Sequence, residues 1–283
     1  MDDADRYIDR VKHLPPAPTV ATELLGMFGD PNRDIDRIVE LITHDPSLTA
    51  EVLRRCNSAF FSAAEPASDM FEAVMRLGFY EVYCVVTAAV GARAMAMAKN
   101  QAGLDVGALW RHSVTTAVAS ATLARRVNEA EPLAFTAGLL HDVGKLVFAA
   151  VDGAAYGELV QRGGGSGPVL AEAEDAVLGV NHAAVGARLL ARWNLPKSVV
   201  QVTRYHHQTP IKATPFDQLA ATIHFGNELA HHLVEGRPTL EELPQANLDS
   251  MQLLEVMSSN IPEVVEDIQV GMQRVQGLLN MQL

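Results

Sequence analysis

The sequence predicts an all-α protein, and three observations carry that reading. Aromatic residues make up only 6% of the 283, and much of the 48% hydrophobic content is Ala, Leu and Val, whereas strands favour aromatic and β-branched residues. Apolar positions recur at helical spacing in one segment after another. No segment alternates convincingly as a strand, and no internal repeat is present. The expected architecture is an N-terminal helical bundle packed on a second helical core, with a C-terminal helical extension.

In chain order, Leu14-Pro15-Pro16-Ala17-Pro18 is extended, because Pro restricts its own φ and the residue before it. A helix follows over about Thr19–Phe28 and stops at Gly29-Asp30-Pro31. The next carries Ile35, Ile38, Val39 and Ile42, and ends near His44-Asp45-Pro46. Asp45 or Ser47 caps a helix holding Leu48, Val52, Leu53 and Cys56, and Asn57-Ser58 ends it in a turn. Phe71–Leu77 is a short helix closed by Gly78, and Glu81–Lys99 a longer Ala-rich one. Gly103 and Gly107 mark a boundary. Beyond it the pattern predicts helices over Leu109–Val127, Pro132–Ala150, Leu170–Leu178, His182–Trp193, Lys197–Tyr205 and Phe216–Val234. The glycine cluster Gly163–Gly167 lacks the Lys-Ser/Thr ending of a phosphate-binding loop and reads as a flexible connection. Gly236-Arg237-Pro238 closes this region. In the tail, Ile261, Val265, Ile268, Met272, Val275 and Leu279 form one narrow apolar seam on a helix. The N-terminal bundle is its expected docking surface, and a second subunit or another signalling protein the alternative.

The formal net charge of -12 disfavours nucleic-acid binding, since such a field repels phosphate backbones and no Lys/Arg run offsets it. Cys56 and Cys84 read as buried free thiols in a reducing compartment. The acidic start Met1-Asp2-Asp3 has no apolar signal region. The stretch Val82–Ala98 is too polar, with Thr87, Gly91 and Arg93, for an easy membrane span. A cytoplasmic protein is expected.

Eight of the ten His fall in the second sub-region, six of them (His112, His141, His182, His206, His207, His224) ahead of the His231-His232 pair. The adjacent pair His141-Asp142 is the sharpest signal, because it sits between Leu139-Leu140 and Leu146-Val147-Phe148. Burying an ionised Asp there is costly unless a metal or a cation compensates. Lys145 shares the flank, so imidazole, carboxylate and ammonium together suit a metal-bound phosphate. The plain alternative is an Asp142–Lys145 ion pair beside a core His.

The run Gly138-Leu139-Leu140-His141-Asp142-Val143-Gly144-Lys145-Leu146 resembles the signature of the HD superfamily of metal-dependent phosphohydrolases, and Trp110-Arg111-His112-Ser113 its upstream histidine helix. The chain from about 12 to 230 more specifically resembles the HDOD family, HD-related output domains of bacterial signalling proteins. Leu14–Pro18, His44–Ala50, Cys56–Phe61, Gly179–His182, Trp193–Pro196 and His206-His207 carry that resemblance. It implies an HD-like helical core and an HDOD domain over 12–235. That domain divides into an N-terminal helical subdomain, 12–103, and an HD-like subdomain, 104–235, with the extension at 236–283.

The resemblance implies metal ligands at His112, His141, Asp142, His182, His206 and His207, and a phosphate contact at Lys145. The ion would be divalent: Fe, Mn, Ni, Mg or Zn. Two acidic positions of the related HD-GYP phosphodiesterases are missing: the final aspartate aligns with Asn227, and an upstream glutamate with Ala108. His224, one turn from Asn227, is a substitute ligand or a packed His; His231-His232 reads as a helix-end dipole interaction. Gln208-Thr209-Pro210 replaces the Gly-Tyr-Pro loop. The resemblance therefore implies a regulatory module with a degenerate HD-type site, acting through protein–protein or ligand binding. The alternative is a metal-dependent phosphohydrolase of nucleotides or cyclic dinucleotides, with Lys145 as a catalytic residue. A signalling protein is the expected partner, a nucleotide second messenger a possible ligand, and neither nucleic acid nor membrane is expected.

Overall fold

The computed structural model describes residues 3–11, 19–28, 30, 32–58, 61, 66–67, 69–98, 103–162, 167–208, 216–235 and 245–275. Among them the order is α1 (Asp3–Ile8), α2 (Thr19–Gly26), α3 (Ile35–Thr43), α4 (Pro46–Cys56), α5 (Met70–Leu77), α6 (Phe79–Ala98), α7 (Val106–Arg126) and α8 (Glu131–Leu140). Then come α9 (Val143–Arg162), α10 (Gly167–Leu178), α11 (His182–Arg192), α12 (Lys197–Tyr205), α13 (Asp217–Glu235), α14 (Gln245–Leu253), a 3-10 turn at Ser258–Asn260 and α15 (Ile261–Arg274). No strand occurs among the described residues, so the all-α expectation holds. Leu14–Pro18, Gly163–Ser166 and Gly236-Arg237-Pro238 lie outside the described residues.

Local chemistry sets the helix starts. Asp34 accepts from the backbone N–H groups of Asp36 and Arg37, and Asp45 from those of Ser47 and Leu48. Pro46 sits in the first turn of α4, where its missing N–H costs nothing. Asp69, Asp105 and Asn181 cap α5, α7 and α11 in the same way. Asp45 also binds Arg93 of α6 through both oxygens, at 2.6 and 2.9 Å, and that guanidinium holds its carboxyl down at about 2. Asn57 ends α4 and clamps the backbone of Ala67 from both sides.

α2–α6 pack on one another, and α6 bridges them to α7, α8 and α9. In the second half α7 is the central rod: every residue from His112 to Ala124 is buried. Its side chains there are mostly small or β-branched, with no Asp, Glu, Lys or Arg between His112 and Ala124, as a helix covered on all sides requires. α8, α13 and α15 flank it, while α11 packs on α9 and α12. Cys56 and Cys84 are free and buried.

Two expectations need correction, and two helices were not foreseen. The helix expected over Pro132–Ala150 is two helices, broken at His141-Asp142, and its second part runs on to Arg162 through a kink at Asp152. The stretch Glu131–Arg162, although broken at His141-Asp142, passes for a membrane span by length and composition, but 89% of its apolar window is buried in the fold. α1, which no periodicity announced, packs on α9 and α11 of the second half. Asp5 bridges Arg188 and Arg192, and Tyr7 meets Phe148 edge-on at 4.9 Å. α14 was likewise not foreseen and packs on α13. Finally, α15 docks on α7 rather than on the N-terminal bundle, with Arg126 holding Glu263 and Asp267.

The seam of α15 buries Ile261, Val264, Ile268 and Val275, with Val265 and Met272 half-buried; Leu279 lies outside the described residues. Ile268 is fully buried. Ile268→Asp removes that packing and places a charge against α7, at an expected cost of about 4 kcal/mol. Thermal unfolding checks this, and an unchanged melting curve would show that the seam carries no packing energy.

Candidate metal centre

Four parts of the second half converge on one point. His112 comes from α7, His141 and Asp142 from the break between α8 and α9, and Lys145 from the first turn of α9. His182 is the first residue of α11, and His206-His207 follow α12. The break matters chemically: in an unbroken helix adjacent residues point about 100° apart, whereas here His141 and Asp142 both turn inward. His141 Nε2 and Asp142 Oδ2 are 3.3 Å apart. α9 and α11 come close because both are Gly at the crossing. A Cβ on Gly144 would lie 2.0 Å from the carbonyl oxygen of His182.

Asp142 is the hub, and its two oxygens face different groups. Oδ2 accepts from Lys145 Nζ at 2.7 Å, and lies 3.8 Å from His112 Nε2. Oδ1 lies 3.1 Å from His182 Nε2 and 3.7 Å from His206 Nε2. His112 and His141 approach through their Nε2 atoms at 3.3 Å, and His182 and His207 through theirs at 2.9 Å. Two donor sets result, one of His112, His141 and Asp142, the other of Asp142, His182, His206 and His207. All six residues expected from the sequence are thus brought together, with Lys145 beside them.

Outer partners orient the rings. His141 Nδ1 meets the Gly138 carbonyl and His206 Nδ1 the Thr203 carbonyl, each at 2.7 Å. With the proton on Nδ1, both leave Nε2 as a lone pair facing inward. His182 Nδ1 instead meets Glu174 Oε2 at 2.6 Å. Glu174 is itself fully buried, held by the Tyr156 hydroxyl and the His182 backbone N–H.

Burial lowers the pKa of His112 and His207 well below the ordinary imidazole value and that of His206 to about 4. Burial acts on His182 in the same direction, but Glu174 and Asp142 together outweigh it and raise His182 above the usual value. Burial opposes ionisation of Asp142, yet His141 and Lys145 keep it well below the usual carboxylate range. Lowered pKa values at His112, His206 and His207 beside an ionised Asp142 favour the protonation state that metal binding requires.

The donor chemistry fits a divalent transition ion, with five imidazoles and one carboxylate facing inward. Asp142 Oδ1 and His206 Nε2 are buried without a hydrogen bond, and a cation satisfies both. The pairing of Asp142 with Lys145, weighed above as an alternative, coexists with this cluster rather than replacing it.

Sequence reasoning missed two residues. Glu174 sits on the buried stripe of α10 with Leu170 and Ala171, and an acid on an apolar stripe was its signal. His231 is buried and stacks on His112 with ring centroids 4.3 Å apart; that contact, not the helix end, defines its place. His224 meets Ser250 of α14 at 3.2 Å through Nδ1, and is in neither donor set. Asn227 is buried one turn before His231, and its Oδ1 has no hydrogen bond.

Comparison with known proteins agrees with this arrangement. The profile of the HDOD domain matches residues 14–209. An uncharacterized protein of Treponema pallidum (strain Nichols) is 26% identical over 254 residues, covering 87% of this chain and 47% of its own length. The chain therefore spans about half the length of this curated relative. An HDOD domain protein of unknown function from Geobacter sulfurreducens superposes with a TM-score of 0.72 at 25% identity, over 95% of this chain and 97% of its own. The MmoQ response regulator of Methylococcus capsulatus str. Bath shares the fold at a TM-score of 0.52 and 21% identity, over 90% of this chain and 99% of its own.

Proposed function

The chain belongs to the HDOD domain family, and from that premise we propose that it is a cytoplasmic regulatory module of bacterial signal transduction. In this reading the HD-type cluster is retained as a metal-binding scaffold, and the output is binding to a signalling protein rather than hydrolysis. The observation that carries it is the acid count: one carboxylate, Asp142, serves both donor sets, and an amide, Asn227, stands at the expected final acidic position. Two-metal hydrolysis needs both ions fixed by charge, and one shared carboxylate supplies little. The response-regulator fold neighbour supports the signalling context.

Donors rich in imidazole favour Fe, Ni or Zn over Mg, which prefers oxygen. A bound ion supplies positive charge for an anionic ligand such as a nucleotide second messenger. His141 and His206 present lone pairs to it, Glu174 holds His182 in place, and Lys145 adds a second positive group. The net charge of -12 argues against nucleic acid as the partner. A homodimer through the C-terminal region would use faces of α15 other than the seam that α7 covers.

Assays on metal-loaded protein with cyclic dinucleotides and bis(p-nitrophenyl) phosphate test the reading. The expected result is no turnover above background. Asn227→Asp with added Mn²⁺ is expected to tighten metal binding without producing turnover. Robust turnover that vanishes in Asp142→Ala would replace this reading with the phosphohydrolase one.

A further inference from the structure

We propose that the outer face of α10 is a docking surface for a helix of a partner protein, one with an apolar stripe edged by Lys or Arg, and that its occupancy is felt at His182 through Glu174. The docking surface stands by itself; the link to His182 rests on the metal-binding reading above and extends it.

α10 has two unlike faces. At 100° per residue, Val169, Ala173, Ala176 and Val177 share one stripe, and Glu172 and Asp175 run along one edge of it. Leu170, Ala171 and Glu174 lie on the other side and are buried. Val177 is 68% exposed and Val169 62%, the first and third most exposed large hydrophobic side chains among the described residues. Ala176 is exposed as well, and Ala173 is half-buried. Apolar side chains scattered singly over a surface are ordinary, but these are joined into one stripe, the pattern of an interaction site.

Charge selects the occupant. The second part of α9 and α10, residues 152–179, carry five acids (Asp152, Glu158, Glu172, Glu174 and Asp175) against one base, Arg162, which pairs with Glu158. A second copy of the chain would bring the same acids and a further net charge of -12 to the contact. A basic edge beside an apolar stripe pairs with Glu172 and Asp175 instead.

The inner face leads to the candidate metal centre. Glu174 accepts from the Tyr156 hydroxyl and the His182 backbone N–H at 2.7 Å each, and meets His182 Nδ1 at 2.6 Å. α10 is bounded by Gly167 at φ 74° and Gly179 at φ 78°. A Cβ at either would meet nothing within 4 Å, so the backbone conformation, not lack of space, calls for glycine there. These two joints let α10 shift as one body, and a shift of its outer stripe carries Glu174 and the His182 imidazole with it.

The test selects from a displayed library of helical peptides on the immobilised full chain, with counter-selection on Val169→Glu/Val177→Glu, whose changes lie on the solvent face. The enriched peptides are expected to carry an apolar stripe with a Lys or Arg edge. They should bind the double variant at least about tenfold more weakly, and Glu172→Lys about threefold more weakly. Saturating wild type with such a peptide is expected to change its Co²⁺ affinity, read by visible absorption, at least about fivefold. In Glu174→Gln that coupling should vanish while peptide binding persists. No enrichment, binders that hold the double variant equally well, or binders without a basic edge would overturn the docking surface. A wild-type dimer in sedimentation that dissociates in the double variant would give the stripe to a second copy and also overturn it. Peptide binding with unchanged Co²⁺ affinity, or coupling that survives in folded Glu174→Gln, would overturn the link through Glu174 and leave the docking surface standing. No Co²⁺ binding at all would overturn the metal-binding reading and the link with it, with the docking surface still decided by the peptides.

Discussion

Stripped of metal, the protein is expected to lose stability as the pH falls from about 6.5 to about 4, with His206 alone contributing about 3 kcal/mol. The sign follows from proton uptake. His206 titrates near 4 in the fold, because it is fully buried, and near 6.5 in the unfolded chain. Between those values the unfolded chain binds the extra proton, so acid favours unfolding. His112, His207 and His224 are lowered too, each chiefly by burial, and push the same way. His182 is raised by Glu174, so its contribution is complete below 6.5 and is lost only as the pH rises through its folded value. It does not offset the fall. Asp142 and Glu174 are lowered carboxylates, whose stabilisation is lost only below the ordinary carboxylate range. Urea unfolding in chelator, stepped from pH 7 to 4.5, checks the window. A flat or rising profile would contradict it, and His206→Gln should make the slope shallower.

The parts of this structure that were legible in the sequence are those that local chemistry dictates. Asp45 announces its helix because a side-chain acceptor at that position satisfies free backbone N–H groups whatever the tertiary context, and in the structure Asp34 and Asn181 cap theirs by the same chemistry. The six site residues were legible because a family resemblance orders them, although they span almost a hundred residues. What escaped depends on contacts distant in sequence. The break at His141 has no Pro or Gly within it, and apolar periodicity continues across it, so nothing local marks it. His231 acquires its role only because α13 packs on α7 in the register that stacks it on His112. α1 is held by Arg188 and Arg192, more than 180 residues away. The tail seam was legible as a seam, but its partner was not: a stripe of Ile and Val fits α7 or the N-terminal bundle equally well until packing selects one.

Gly144→Ala is expected to be among the most damaging single-methyl changes in the molecule, costing about 3 kcal/mol and weakening metal binding with it. The added Cβ would lie 2.0 Å from the His182 carbonyl oxygen and 2.7 Å from the Gly186 backbone nitrogen. Both are backbone atoms, so no side-chain rotation relieves the contact, and α9 must move away from α11. His182 opens α11 and Asp142 immediately precedes α9, so that separation stretches the 3.1 Å approach between them. Gly186 lies on the other side of the same crossing but is less tight. A Cβ there would meet Gly144 N at 3.1 Å and a movable Val143 methyl at 3.3 Å. Gly186→Ala should therefore cost less and leave metal affinity closer to wild type. Urea unfolding and Co²⁺ titration of the two variants order these effects. If Gly144→Ala unfolds at the wild-type midpoint and binds Co²⁺ with unchanged affinity, the close crossing does not hold the centre together, and the glycine of the His-Asp-Val-Gly-Lys run needs another explanation.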